Sequence, residues 1–142
     1  MSERIHIALD RAPTHEALQV IGEGLRRHNE QFAPASDDRL FAVFLHGENG
    51  HILGGVIAKA GRGWLKIGSL WVNEALRGQG YGRQLIETAE NEGVRLGCHS
   101  SYLDTFSFQT PQFYTKCGYE IFGTLEAFPD EHTRFFMRKS LA

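Results

Sequence analysis

Trp64-Leu65-Lys66-Ile67-Gly68-Ser69-Leu70-Trp71-Val72, followed after Asn73 to Leu76 by Arg77-Gly78-Gln79-Gly80-Tyr81-Gly82, decides how this chain is read. The apolar run from Ile67 to Val72 has the character of a strand. From Tyr81 to Leu96, Leu85, Ile86, Ala89 and Leu96 recur at the spacing of one helical face. The glycine-rich hexapeptide therefore joins a strand to the N-terminus of a helix. Unpaired backbone N–H groups and the positive end of the helix dipole meet at such a point, and glycines let an anion come close to the main chain. A phosphate or pyrophosphate is the guest this arrangement suits.

Spacing separates three kinds of phosphate loop. The dinucleotide fingerprint G-x-G-x-x-G fits Gly78 and Gly80 but requires a third glycine where Arg83 stands, and no acidic strand end follows at its usual distance. The G-K-S/T of a P-loop is absent. What remains, Arg77-x-x-Gly80-x-Gly82, resembles the acyl-CoA loop of the GNAT superfamily of N-acetyltransferases, Q/R-x-x-G-x-G/A; a plain turn before a helix is the alternative. Downstream, Ser101-Tyr102-Leu103-Asp104-Thr105 reads as a strand, and Phe113-Tyr114-Thr115-Lys116-Cys117-Gly118-Tyr119 is similar to the superfamily's F-Y-x-K-x-G-F/Y segment. Two segments agree in order and spacing, and together they span Trp64 to Tyr119.

The resemblance implies acetyl transfer from acetyl-CoA to a primary amine of a small molecule or peptide. It places the pyrophosphate on the backbone of Arg77, Gly78, Gln79, Gly80, Tyr81 and Gly82, with charge from Arg77 and Arg83, although Arg83 reads equally as a solvated helix residue. It implies that the backbone of Leu70, Trp71 and Val72 splays from the next strand and pairs with the pantetheine arm. Tyr114 is implied beside the CoA sulfur, where a hydroxyl of pKa about 10 serves a leaving thiol of pKa about 8.5. The superfamily often has Asn and Ala seven and four residues before this tyrosine. Here Ser107 and Thr110 stand there; Ser107 is the remaining candidate for a contact to the cofactor arm, and Thr110 reads as a helix cap before Pro111. Many members place a glutamate on the strand before the loop, and Trp64 to Val72 has no acidic residue. The base that frees the amine is therefore open among Asp104, Glu74, His28, Glu131, His132 and water. A noncatalytic acyl-CoA-binding or sensing domain is the alternative function.

The rest of the chain is compatible with this outline. Ile5-His6-Ile7-Ala8-Leu9 alternates as a first strand would, and Pro13 suits the first turn of a helix in which Ala17, Leu18, Ile21 and Leu25 share a face. Asn29 to Asp38 reads as a loop containing Phe32 and Pro34; by the resemblance, His28, Asn29 and Phe32 face the acceptor, and otherwise Phe32 is core. Arg39 to His46 and His51 to Ala60 form a hairpin about Gly47-Glu48-Asn49-Gly50, and Glu120 to Leu125 pairs with Thr133 to Lys139. The helix ending near Gly97 crosses over, so the strand through Leu103 is parallel to the one from Trp64. The expectation is an α/β fold: a mixed, mostly antiparallel central sheet of about seven strands with helices on both faces, residues 1–142 forming one domain.

Composition narrows the partners. A formal charge of −2 and the lack of any basic run speak against nucleic acid. Met1-Ser2-Glu3-Arg4 opens on charge, and no apolar run approaches a membrane span, which points to the cytoplasm. Cys98 and Cys117 lack C-x-x-C spacing and the seven histidines are scattered, so neither a disulfide framework nor a metal site is expected. Homodimers are common in the superfamily, and no residue pattern here decides that point.

Overall fold

A computed structural model describes residues 3–33 and 37–141. The chain divides into two compact units, Met1–Ala35 and Ser36–Ala142. Met1, Ser2 and Pro34 lie outside the described residues.

In the first unit, helix α1 (His15–Glu30) starts at Thr14, whose hydroxyl accepts the Ala17 N–H at 3.2 Å. Glu16 in the first turn and Arg27 and His28 in the last complement the helix dipole. Pro13 precedes the cap instead of occupying the first turn. Ile5–Leu9, expected as a strand, carries no ladder. A strand is held by hydrogen bonds to a neighbour, and the described residues of this unit supply none, so the alternation of Ile5, Ile7 and Leu9 has nothing to pair with. Phe32 is exposed, its ring centroid 5.2 Å from that of His28.

The second unit is built on six strands: β1 (Arg39–His46), β2 (Ile52–Gly61), β3 (Trp64–Val72), β4 (Ser100–Phe106), β5 (Glu120–Leu125) and β6 (Arg134–Ser140). They lie in the order β1-β2-β3-β4-β6-β5, antiparallel except for the β3–β4 pair. The sheet is thus mixed and mostly antiparallel, as expected, with six strands in place of about seven. Helix α2 (Tyr81–Arg95) makes the β3–β4 crossover, and the short α3 (Pro111–Lys116) precedes β5. No helix of the described residues is long and apolar enough to cross a membrane.

Two irregularities interrupt the middle of the sheet. β3 and β4 pair only at Trp64–Ser100, Leu65–Ser101 and Lys66–Tyr102, and from Ile67 onward they part. A register shift against Val56 to Ala58 inserts an extra residue at Gly68–Ser69, where a Cβ on Gly68 would come within 3.0 Å of the Ile57 carbonyl oxygen. This bulge resets the side-chain alternation. Leu65 and Ile67 before it and Leu70 and Val72 after it all pack toward the core, and Trp71 turns to the other face.

Beneath the junction, Leu65, Ile67, Ile86, Leu103 and Met137 are fully buried. Gly93 lets α2 lie close on β3, since a Cβ there would meet Leu65 at 3.0 Å. The helix ends in a Schellman turn: Cys98 N–H reaches the Gly93 carbonyl at 2.9 Å and Gly97 N–H that of Val94 at 3.0 Å, with Gly97 at φ +94°. Through this apolar layer runs a buried polar network. Glu90 of α2 accepts from Lys139 Nζ at 2.9 Å and from the Tyr119 hydroxyl at 2.8 Å, and that hydroxyl also lies 2.8 Å from Ser101 Oγ. Lys139 donates in addition to the Cys117 carbonyl at 2.8 Å, tying the end of α3 to β6. Burial, reinforced by the Glu90 charge, holds the Tyr119 hydroxyl far above its usual range.

Removing one member of a buried ion pair leaves its partner uncompensated. Glu90→Ala is expected to lose about 2–4 kcal/mol in urea unfolding, and Lys139→Met added to it to recover part of that loss by removing the stranded ammonium. A single mutant with the parental midpoint would show the network to be energetically idle.

Candidate active site

β3 leaves the sheet through Asn73, whose N–H donates to the Leu53 carbonyl at 2.8 Å and whose side chain accepts from Ala75 N–H at 3.0 Å. A single 3-10 turn, Glu74–Leu76, follows. Arg77 then folds back so that its Nε donates to the Val72 carbonyl at 2.9 Å, and Gln79 donates to the Ala75 carbonyl at 3.3 Å. These two bonds brace the loop from outside and leave its inner backbone open. Gly78 and Gly80 adopt φ +77° and +88°, a left-handed conformation that favours glycine, and a Cβ at either would meet nothing within 4 Å.

Gly80 is the N-cap of α2, with no side-chain cap, and the first turn carries no acidic residue. The orphan N–H groups and the positive dipole end therefore lack an internal anion. Gly82 serves a different purpose. A Cβ there would come within 3.1 Å of the Phe113 ring, so its absence lets α3 approach α2. Arg83 pairs with Glu87 one turn on, at 3.1 Å, on the exposed face of the helix.

Where β3 and β4 part, a cleft of about 1040 Å³ opens. Its walls include the backbone segment Ile67–Val72, the loop residues Arg77, Gly78, Gly80, Tyr81, Gly82 and Arg83, and Thr110, Phe113 and Tyr114 around α3. On the β4 side it includes Asp104, Thr105, Phe106 and Phe108. Thr105 is buried on the helix side of the sheet whereas Asp104 and Phe106 alternate to the other, so the cleft passes through the sheet. Leu70, Trp71 and Val72 thus line an edge of β3 that β4 does not cover. Of the hexapeptide, Gln79 alone stands outside the lining, its side chain spent on the Ala75 bond.

Pro111 opens α3 at its first position, as its fixed φ favours. Thr110 occupies the N-cap with φ +57° and makes no side-chain cap bond, so it does not act as the expected cap. The Tyr114 ring packs edge-on against Phe113 and Tyr119, with centroids 5.1 and 6.3 Å away. Its hydroxyl has no hydrogen-bond partner among the described residues. Burial, then the neighbouring Cys117 and Asp104, push its pKa up to about 12.

Ser107 does not join this group. Its hydroxyl lies 3.2 Å from His132 Nδ1 and accepts the Thr133 N–H at 3.1 Å, bracing the β5–β6 loop. The candidate bases are also dispersed. Glu74 opens the loop turn from outside, Glu131 is exposed, His28 belongs to the other unit, and His132 is bound to Ser107. Asp104 lines the cleft, but its Oδ2 accepts two bonds from Arg134, at 2.8 and 2.7 Å. No group of three or more possible metal ligands occurs among the described residues.

Phe128 and Trp71 read from the sequence as aromatic walls for an acceptor, but the sequence does not foretell the stack beside Asp104 that includes Phe128. Phe108, Phe106 and Phe128 lie nearly parallel, with successive centroids 5.1 and 5.9 Å apart, and the Arg134 guanidinium sits 5.7, 5.3 and 5.0 Å from the rings of Phe106, Phe128 and Phe136. Only the richness of these segments in phenylalanine hints at it.

An uncovered strand edge thus lies beside a glycine-capped helix start, and comparison with known proteins identifies the family. Residues 8–119 match the family model described as Acetyltransferase (GNAT) family, and the chain belongs to that family. It is 33% identical over 103 residues to a blasticidin-S acetyltransferase of Streptomyces morookaense, covering 72% of this chain and 76% of that protein. A crystal structure of an acetyltransferase from Bacillus cereus superimposes with a TM-score of 0.88 at 32% identity, covering 96% and 97% of the two chains. An aminoglycoside 6'-N-acetyltransferase complexed with coenzyme A shares the fold, with a TM-score of 0.63 at 19% identity over 88% and 86%. The chain is accordingly an acetyltransferase by family.

A hydroxyl pushed up to about 12 stays protonated across the working range. In the native protein at about pH 11, above the ordinary tyrosine value of about 10, Tyr114→Phe is expected to leave the tyrosinate absorbance unchanged. The unfolded chain ionises there, so stability falls as pH rises from about 10 toward 12. A drop in native tyrosinate signal in the variant would mean that Tyr114 ionises normally.

Proposed function

We propose that residues 1–142 form a single acyltransferase domain that moves an acetyl group from acetyl-CoA directly to a primary amine of a small molecule or peptide. The parting of β3 and β4 beside the uncapped start of α2 carries this reading. The open space over Gly78 and Gly80 suits a pyrophosphate on the backbone from Arg77 to Gly82, with Arg77 and Arg83 adding positive charge at the rim. The edge of Leu70, Trp71 and Val72 that β4 leaves uncovered suits the amide groups of a pantetheine arm, apart from the Val72 carbonyl, which Arg77 already holds. Acetyl-CoA supplies an acyl group already activated as a thioester.

Tyr114 is the residue assigned to the leaving sulfur. With its pKa near 12, full proton transfer to a thiolate of ordinary pKa about 8.5 is uphill by several units, so the hydroxyl acts as a hydrogen-bond donor to developing negative charge. The acceptor nitrogen, once neutral, forms the C–N bond as the C–S bond breaks. One proton leaves the nitrogen and one arrives on the sulfur, both exchanged with water. Direct transfer is favoured over a cysteine relay because burial pushes the thiols of Cys98 and Cys117 up, away from the nucleophilic thiolate. The name of one relative, a blasticidin-S acetyltransferase, supports a small-molecule acceptor.

A second reading has one observation in its favour. Asp104 is the sole carboxylate among the described residues lining the cleft, and it is paired to Arg134, which suits an acyl-CoA-binding domain without transfer.

Calorimetric titration with acetyl-CoA separates these readings from a domain that binds none. The parent is expected to bind, and Gly80→Asp to lose binding because its carboxylate occupies the anion site; the φ of +88° makes the substitution strained, so circular dichroism must first show that the variant folds. Tyr114→Phe is expected to lower kcat by about 100-fold with acetyl-CoA affinity retained. A folded parent that binds nothing would end the acyltransferase reading.

A further inference from the structure

Beyond the Asp104–Arg134 pair, the cleft presents an unusual combination of groups. Asp104 spends only Oδ2 on Arg134; its Oδ1 takes no hydrogen bond among the described residues. Beside it, Phe106, Phe108 and Phe128 form a three-ring stack whose outer members are 57% (Phe108) and 43% (Phe128) exposed. Phe108 lies outside the cation contacts and meets the His132 ring edge-on with centroids 5.0 Å apart, yet more than half of it stays exposed. Across the opening, Trp71 is also 52% exposed, on the face to which the β3 bulge turns it. The other charged residues lining the cleft are Lys66, Arg77, Arg83 and Lys116, all cationic.

We propose that this is the acceptor subsite, and that it selects a primary amine carrying one ammonium group next to a flat, unsaturated ring. The inference rests on the acyltransferase reading above and narrows its substrate class. Asp104 Oδ1 is the acceptor for one ammonium, and Arg134 holds the carboxylate in place. The part of Phe108 that Phe106 and His132 leave exposed offers an area against which a planar ring packs. A polyamine meets one half-committed carboxylate and a wall of positive charge, and so is disfavoured. A simple alkylamine satisfies Asp104 but leaves the ring face uncovered.

The test compares kcat/KM for phenylethylamine, n-butylamine and spermidine, read as thiol release from acetyl-CoA by the full chain, with acetyl-CoA binding measured separately by calorimetry. Phenylethylamine is expected to exceed each of the others by about tenfold. Phe108→Ala is expected to collapse that ratio through KM for the aromatic amine, leaving acetyl-CoA binding intact. Asp104→Asn, which keeps an oxygen for Arg134 but removes the charge, is expected to raise KM for every amine. Butylamine or spermidine used as well as phenylethylamine, or a Phe108→Ala variant that keeps the ratio, would overturn the subsite and leave the acyltransferase reading standing. Binding of acetyl-CoA with no transfer to any amine would overturn it in favour of the noncatalytic reading. Absence of acetyl-CoA binding would overturn both.

Discussion

Everything distinctive in this fold depends on β3 and β4 being parallel neighbours for three residues and then separating. Two strands that stayed paired would close the cleft; two that never met would leave no sheet. Separation strands the backbone groups of Ile67–Val72 on one edge, which is costly unless something satisfies them. The protein concentrates stabilising contacts just below the fork, where Leu65, Ile67, Leu103 and Met137 are all fully buried against Ile86 of α2. The bulge at Gly68–Ser69 then does two jobs at once. It bends β3 away and keeps Leu70 and Val72 on the core side, so the strand leaves its neighbour without surrendering its packing.

The second constraint lies at the opposite wall. α3 is a six-residue helix, too short to be stable by propensity alone, yet it carries Tyr114. Its position is imposed from both ends. Phe113 fills the space left by Gly82, and the Cys117 carbonyl is held by Lys139, which Glu90 holds in turn. The ionic network is better understood as a fixture for α3 than as a source of stability, since pairing buried charges seldom repays their desolvation. Through it, α2, which starts at Gly80, and α3, which carries Tyr114, are locked to each other.

Much of this outline can be read from the sequence because it is local. The glycine pairs, the apolar runs and the Arg77 to Gly82 loop each declare themselves within ten residues, and the hairpin, crossover and final strand pair follow from them. Ile5–Leu9 misleads because alternation states what a strand would bury and not whether a partner exists. The contacts that define the site's character escape for a different reason. Asp104 with Arg134 and Glu90 with Lys139 are 30 and 49 residues apart, and no spacing rule joins them. Ser107 stands at the right place in a motif, but a hydroxyl is too short to reach far, and it settles on the nearest partners, His132 and Thr133.

The missing base also takes on a different aspect in this geometry. A cleft whose described walls hold no free carboxylate or imidazole looks ill equipped to take a proton from an ammonium. Yet the burial that raises Tyr114 acts on an amine with the opposite sign, since removing water disfavours whichever form is charged. An ammonium that moves from the rim at Asp104 toward the tyrosine passes from a site that favours its charge to one that penalises it. Along that path the proton is lost more readily the closer the nitrogen comes to the point of attack, and water at the open mouth can receive it. On the proposed acyltransferase reading, Asp104 has no need to be the base: a carboxylate that holds the charged form at the entrance of a neutral interior would make deprotonation a consequence of entry.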